Sequence, residues 1–116
     1  MSLVTGPRQV SSRRIVGLPR ALLRSVGLEP PVKVALSADE GARETILITA
    51  MGVGQGFSAS VSSVGQLVLP TSLMTVLNLD SDRSVYVRAR EDRTVLEMMS
   101  PRQTFEVARS AERVDP

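Results

Sequence analysis

At 116 residues the chain has the length of one domain, with a formal net charge of +2 and an aromatic content of only 3 %. It has no Cys and no His, which excludes disulfides, thiolate chemistry and Cys- or His-based metal sites and removes the commonest general base. No motif announces the paired carboxylates that catalysis would then need, so the expectation is a protein that is not an enzyme and carries no cofactor.

Charge is spread unevenly. Residues 1–28 hold Arg8, Arg13, Arg14, Arg20 and Arg24 and no acid, a local +5 against −3 for the other 88 residues. No apolar run approaches the roughly 20 residues of a membrane-spanning helix, and the opening residues lack the apolar core of a signal peptide. A cytoplasmic protein with no membrane partner is expected.

In chain order, the apolar run 15–18 ends at Pro19, which disfavours helix in the residue before it, so it reads as a strand. Residues 20–26 follow as a helix of two turns with Leu22, Leu23 and Val26 on one side, and Gly27 suits a left-handed cap. Val32, Val34 and Leu36 then alternate with Lys33, Ala35 and Ser37 as a half-buried strand. Asp39-Glu40-Gly41-Ala42 turns the chain, and 45–49 returns. The glycines of linker 51–57 do not make a dinucleotide fingerprint, because extended chain rather than a helix follows at 58–63.

The second half repeats this plan. Residues 66–69 end at Pro70, Leu73, Met74 and Leu77 share a helix face, and Asn78 takes the cap position. Asp80-Ser81-Asp82 reads as a turn, since the Gly and terminal Glu of a calcium loop do not follow. Val85, Val87 and Ala89 alternate with Ser84, Tyr86, Arg88 and Arg90, then Glu91-Asp92-Arg93 turns the chain into 94–98. Ser100-Pro101-Arg102-Gln103 is a helix-start signature, predicting a short helix from 101 to about 113 that docks through Phe105, Ala108 and Ala111.

An offset of 51 aligns residues 10–36 with 61–87 without a gap, and eight of these 27 positions are identical: Val10/Val61, Ser11/Ser62, Ser12/Ser63, Leu18/Leu69, Pro19/Pro70, Leu22/Leu73, Leu28/Leu79 and Val34/Val85. Past the hairpin turn the expected offset is 49, from Thr45 and Thr94. Two copies are too few for a solenoid, so each is expected to cover the other's apolar face. The reading is one pseudo-symmetric domain over 1–116: repeat one at 4–50, the linker at 51–57, repeat two at 58–99 and a tail at 100–116.

Gly65-Gln66-Leu67-Val68-Leu69-Pro70, then Leu73, Leu77-Asn78-Leu79 and the hairpin, resembles the AbrB/SpoVT/MazE family pattern of Gly-Arg-aliphatic-x-aliphatic-Pro, short helix and hairpin. Val16-Gly17-Leu18-Pro19, Leu22, Arg24 and Val26-Gly27-Leu28 resemble it in repeat one. The resemblance implies a mostly β, α+β fold: a swapped-hairpin barrel with one short helix per repeat, completed here by one chain. It also implies a transcription regulator or antitoxin that binds duplex DNA through arginines. The family's Arg is replaced by Gln66 in repeat two and Ile15 in repeat one, and the basic positions of repeat one correspond to Ala59, Val64, Gly65, Thr71 and Thr75.

Arg8, Arg13, Arg14, Arg20, Arg24 and Gln66 are therefore the expected DNA contacts, the arginines for phosphates and Arg13, Arg14 or Gln66 for base edges. With one basic repeat per chain, a two-half-site operator would need a homodimer or larger assembly. The alternative is a non-catalytic protein-interaction module that grips a partner, such as a toxin, through residues 100–116.

Overall fold

The computed structural model describes residues 4–51, 56–79, 83–90 and 94–113. Repeat one forms β1 (Val4–Gln9), β2 (Ile15–Gly17), α1 (Arg20–Ser25), β3 (Val32–Ala38) and β4 (Thr45–Ala50). Repeat two forms β5 (Phe57–Val61), β6 (Gln66–Val68), α2 (Thr71–Leu77), β7 (Ser84–Arg90) and β8 (Val95–Met99), and α3 (Pro101–Arg113) follows. The expected order of strand, strand, short helix and hairpin occurs twice. Linker residues 52–55 and the turns proposed at 80–82 and 91–93 lie outside the described residues.

The two repeat helices are too short to persist alone. They start where Pro19 and Pro70 hold extended backbone, and they persist by burying Leu22 and Leu23, and Leu73 and Leu77. At the end of α1, Gly27 is left-handed (φ 83°). There the Leu28 N–H donates to Leu23 O at 2.9 Å and the Gly27 N–H to Arg24 O at 3.0 Å. At the end of α2, Asn78 is also left-handed (φ 50°), and its N–H donates to Met74 O at 3.2 Å.

All eight strands belong to one antiparallel sheet in the order β1-β7-β8-β4-β3-β5-β6-β2. Each repeat's first strand pairs with the other repeat's hairpin, β1 with β7 and β5 with β3, so the two repeats interleave. Exchanging every strand for its counterpart returns the same cyclic order read backwards, which is the mark of a pseudo-twofold axis. The sheet's two ends meet at the turn between β1 and β2, where the Ser11 N–H donates to Ile15 O at 2.9 Å, leaving a nearly closed barrel. Its interior is aliphatic, as the lack of aromatic residues requires: Val16, Leu23, Val34, Leu36, Ile46 and Ile48 of repeat one pack with Val61, Leu67, Leu69, Leu77, Val85, Leu96 and Met98 of repeat two.

Two sequence expectations need correcting. Leu36 stands opposite Ile48, while its counterpart Val87 stands opposite Met98. The return strands are thus related by 50 residues rather than 49, and the second hairpin turn is one residue shorter, not two. Glu44 and Thr94 are the true equivalents, both left-handed at φ 51° and 50°. The second correction concerns α3, whose start and extent are as predicted, with Ser100 Oγ accepting from the Gln103 N–H at 3.1 Å. Its half-buried positions include Thr104 and Val107, whereas Phe105 and Ala108 face outward, Phe105 at 66 % exposure. The helix is anchored at its polar start, and that sets its rotation. The Ala111 side chain lies outside the described ones.

The anchor is Glu44 at the tip of the first hairpin. Its carboxylate accepts from the Ser100 hydroxyl, from Asn78 Nδ2 at 3.2 Å and from Arg102 Nε at 3.3 Å, and its carbonyl accepts from the Ser100 N–H at 3.2 Å. Desolvation by itself would raise the Glu44 pKa, but the hydrogen bonds from Ser100 and Asn78 and the Arg102 charge outweigh it and hold the carboxyl below its ordinary value. A depressed carboxyl contributes stability that is complete above the unfolded value of 4.5 and is lost as pH falls through the folded one. Exchange of the Gln103 and Thr104 amides should therefore accelerate only below the usual carboxylate range. Glu44→Gln should abolish that acid transition; its survival would assign the transition to another carboxylate.

Candidate nucleic-acid interface

β2 and β6 form a short ribbon across the pseudo-axis, with Ile15 opposite Val68, Val16 opposite Leu67 and Gly17 opposite Gln66. Val16 and Leu67 are fully buried, so alternation turns Ile15, Gly17, Gln66 and Val68 outward. A four-residue turn flanks each end of the ribbon, at 11–14 and at 62–65. Each turn closes on the other repeat: the Leu69 N–H donates to Arg14 O and the Leu18 N–H to Gly65 O, both at 2.8 Å. Each therefore sits beside the start of the opposite repeat's helix.

The structure divides the predicted arginines between these two ends. Arg13 and Arg14 are both exposed on the first turn, where Arg14 Nε donates to Leu69 O at 2.9 Å. Arg20, in the first turn of α1, reaches the second turn and donates from Nη2 to Ser63 O at 2.8 Å. Arg8 is half-buried with its Nη1 beside Gly17, across the ribbon from Gln66, and its buried Nε has no hydrogen-bond partner among the described residues. Arg24 stands apart, held by Glu29 at 3.1 Å in an exposed ion pair. That pair is weak and leaves Arg24 the least available of the five.

Arg83 joins the first turn without having been foreseen. It precedes β7, its carbonyl accepts from the Val10 N–H at 2.9 Å, and its Nη1 donates to Ser11 O at 3.3 Å. Its repeat counterpart is Val32, so no basic pattern marked it, and only the pairing of β1 with β7 brings it to residues 11–14. Together with Ser12, Arg14, Thr71, Met74 and Leu79 it lines an open hollow of about 320 Å³.

Arg14, Arg20 and Arg83 are tethered by backbone carbonyls rather than by carboxylates of the described residues, which leaves their charge un-neutralised by those residues. Residues 4–28 and 56–79 contain no Asp or Glu at all. The strands β1, β2, β5 and β6, the turns between them and the helices α1 and α2 are thus free of acid, and the absence over 56–79 was readable in the sequence. Acids of the described residues lie elsewhere, at Glu29, Asp39, Glu40, Glu44, Glu97 and Glu106 among others. By contrast Arg88 and Arg90 of β7 are committed: Arg88 Nε donates to Glu97 Oε1 at 2.8 Å, and Arg90 Nη1 stands 3.5 Å from Glu97 Oε2.

Among the described residues no group of Asp and Glu is placed to hold a metal ion, and no helix is long and apolar enough to cross a membrane. No family model, curated protein or solved structure matches this chain.

Proposed function

We propose that this protein is a DNA-binding transcription regulator of the AbrB type, which meets duplex DNA with the barrel end formed by the β2–β6 ribbon and its two flanking turns. The observation that carries this reading is that Arg13, Arg14, Arg20 and Arg83 meet no carboxylate of the described residues, while residues 4–28 and 56–79 hold no acid. Such guanidiniums, three of them pre-set by carbonyl tethers, neutralise phosphates and release counterions. Gln66, exposed at the second-turn end of the ribbon, is the side chain assigned to a base edge in this reading. The interleaved repeats agree with the fold that the family resemblance implies.

The two ends differ in charge, since Arg13 and Arg14 correspond to Val64 and Gly65, so a symmetric operator calls for two chains. A gel-shift assay with the region upstream of the protein's own gene, at two salt concentrations, tests the proposal. A log-log salt slope near about −4 is expected if roughly five phosphates are contacted. Absence of a shift at low salt would sink the proposal. One observation favours a second reading, a protein-interaction module: Phe105 is an exposed aromatic on the outward side of α3. That reading requires no duplex binding, and the same assay separates the two.

A further inference from the structure

We infer that the hollow lined by Ser12, Arg14, Thr71 and Arg83 is a binding site for a single phosphate group, carried by a DNA backbone or by a small phosphate ester. Two arginines and two hydroxyl-bearing residues line it, and among the described residues neither guanidinium meets a carboxylate. Arg14 spends its Nε on Leu69 O, and Arg83 spends Nη1 on Ser11 O. These tethers hold both planar groups at the hollow while leaving other N–H donors for an oxyanion, the geometry in which arginine binds phosphate best.

Backbone conformation supplies an independent argument. Arg14 is left-handed at φ 65°, where its counterpart is Gly65 at φ 83°. A left-handed conformation is unfavourable for a side chain of this kind, and local strain of this sort gathers at functional sites. The fold accepts glycine at this position in one repeat and carries an arginine in the other, so what Arg14 contributes is its guanidinium. The matching hollow in the second half would be built from Ser63, Gly65, Arg20 and Val32. It has one guanidinium, tethered to Ser63 O, in place of two, so the paired-arginine site belongs to one half only. Met74 and Leu79 complete the lining with apolar surface, and the volume exceeds what a bare phosphate fills, which suits a phosphate borne by a larger molecule.

The inference rests on the DNA reading only for the source of the phosphate. Its test is titration of the full chain with inorganic phosphate, followed by the amide resonances of Ser12, Arg14 and Thr71, beside duplex titrations of the same samples. Phosphate should shift these amides saturably, and Arg14→Gly and Arg83→Gln should each weaken its binding by about tenfold or more. Arg14→Gly should do so with an unchanged or raised unfolding midpoint, because glycine relieves the left-handed backbone. If duplex also competes with phosphate, the source is DNA; if phosphate saturates the site and no duplex binds, the site stands and the DNA reading falls. Phosphate shifts that are absent, or that persist unchanged in both variants, overturn the site even where duplex binding remains.

Discussion

Replacing Arg13 and Arg14 together with alanine is expected to weaken duplex binding by at least about a hundredfold at low salt, as two charge-assisted phosphate contacts are lost. The log-log salt slope should shrink by about 2, since each phosphate contact contributes about 0.9. Both side chains are exposed on a turn, so the fold should survive the change. The matched control is Arg43→Ala with Arg109→Ala, which removes the same charge from exposed positions on the first hairpin turn and α3. Equal losses in the two double variants would show that binding follows net charge alone and would overturn the assignment to the first turn.

The largest effect on stability is expected at the ion pair between β7 and β8. Arg88 and Glu97 stand directly opposite each other, with side chains only 17 % and 5 % exposed, and Arg90 supports the pair from 3.5 Å. Arg88→Ser takes away both close hydrogen bonds to the nearly buried Glu97 and leaves it the longer contact with Arg90, a loss expected to cost about 3 kcal/mol. In a domain of this size that corresponds to a fall in Tm of roughly 10–20 °C. The other repeat shows the remedy, because the equivalent cross-strand pair there is Ser37 opposite Leu47. The double variant Arg88→Ser with Glu97→Leu copies that pair and should recover most of the loss, read by thermal unfolding. A double variant as unstable as the single one would show that the charges themselves, rather than the avoidance of an orphaned Glu97, hold these strands. For the same reason Arg88 and Arg90 make poor neutral controls for DNA binding.

Much of the fold was legible because it is written locally and twice. Pro19 and Pro70 stop their strands and start their helices, Gly27 and Asn78 end them, and the alternation around Val85 marks a strand buried on one side, whereas in β3 Ala35 is buried together with Val34 and Leu36. The N-terminal cap of α3 was equally legible, since Ser100 and Gln103 form it within four residues. The hairpin offset was misread because Thr45 and Thr94 look alike in sequence, whereas ladder register, fixed by core-facing Ile48 and Met98, decides equivalence.

The sequence by itself therefore determined the repeat, the order of elements, the aliphatic core and the basic bias of repeat one. Each follows from residue type and spacing along a few turns of chain. Tertiary structure alone decided which charges remain available. The pairing of β1 with β7 delivered Arg83 to the first turn, register placed Glu97 between Arg88 and Arg90, and Glu44 fixed the start of α3 so that Phe105 faces outward. These outcomes depend on contacts between residues far apart in the chain, 72 positions for Ser11 and Arg83, and no local pattern encodes them. They reduce the five arginines of residues 1–28 to a smaller set at two turns and leave Arg24 tied to Glu29.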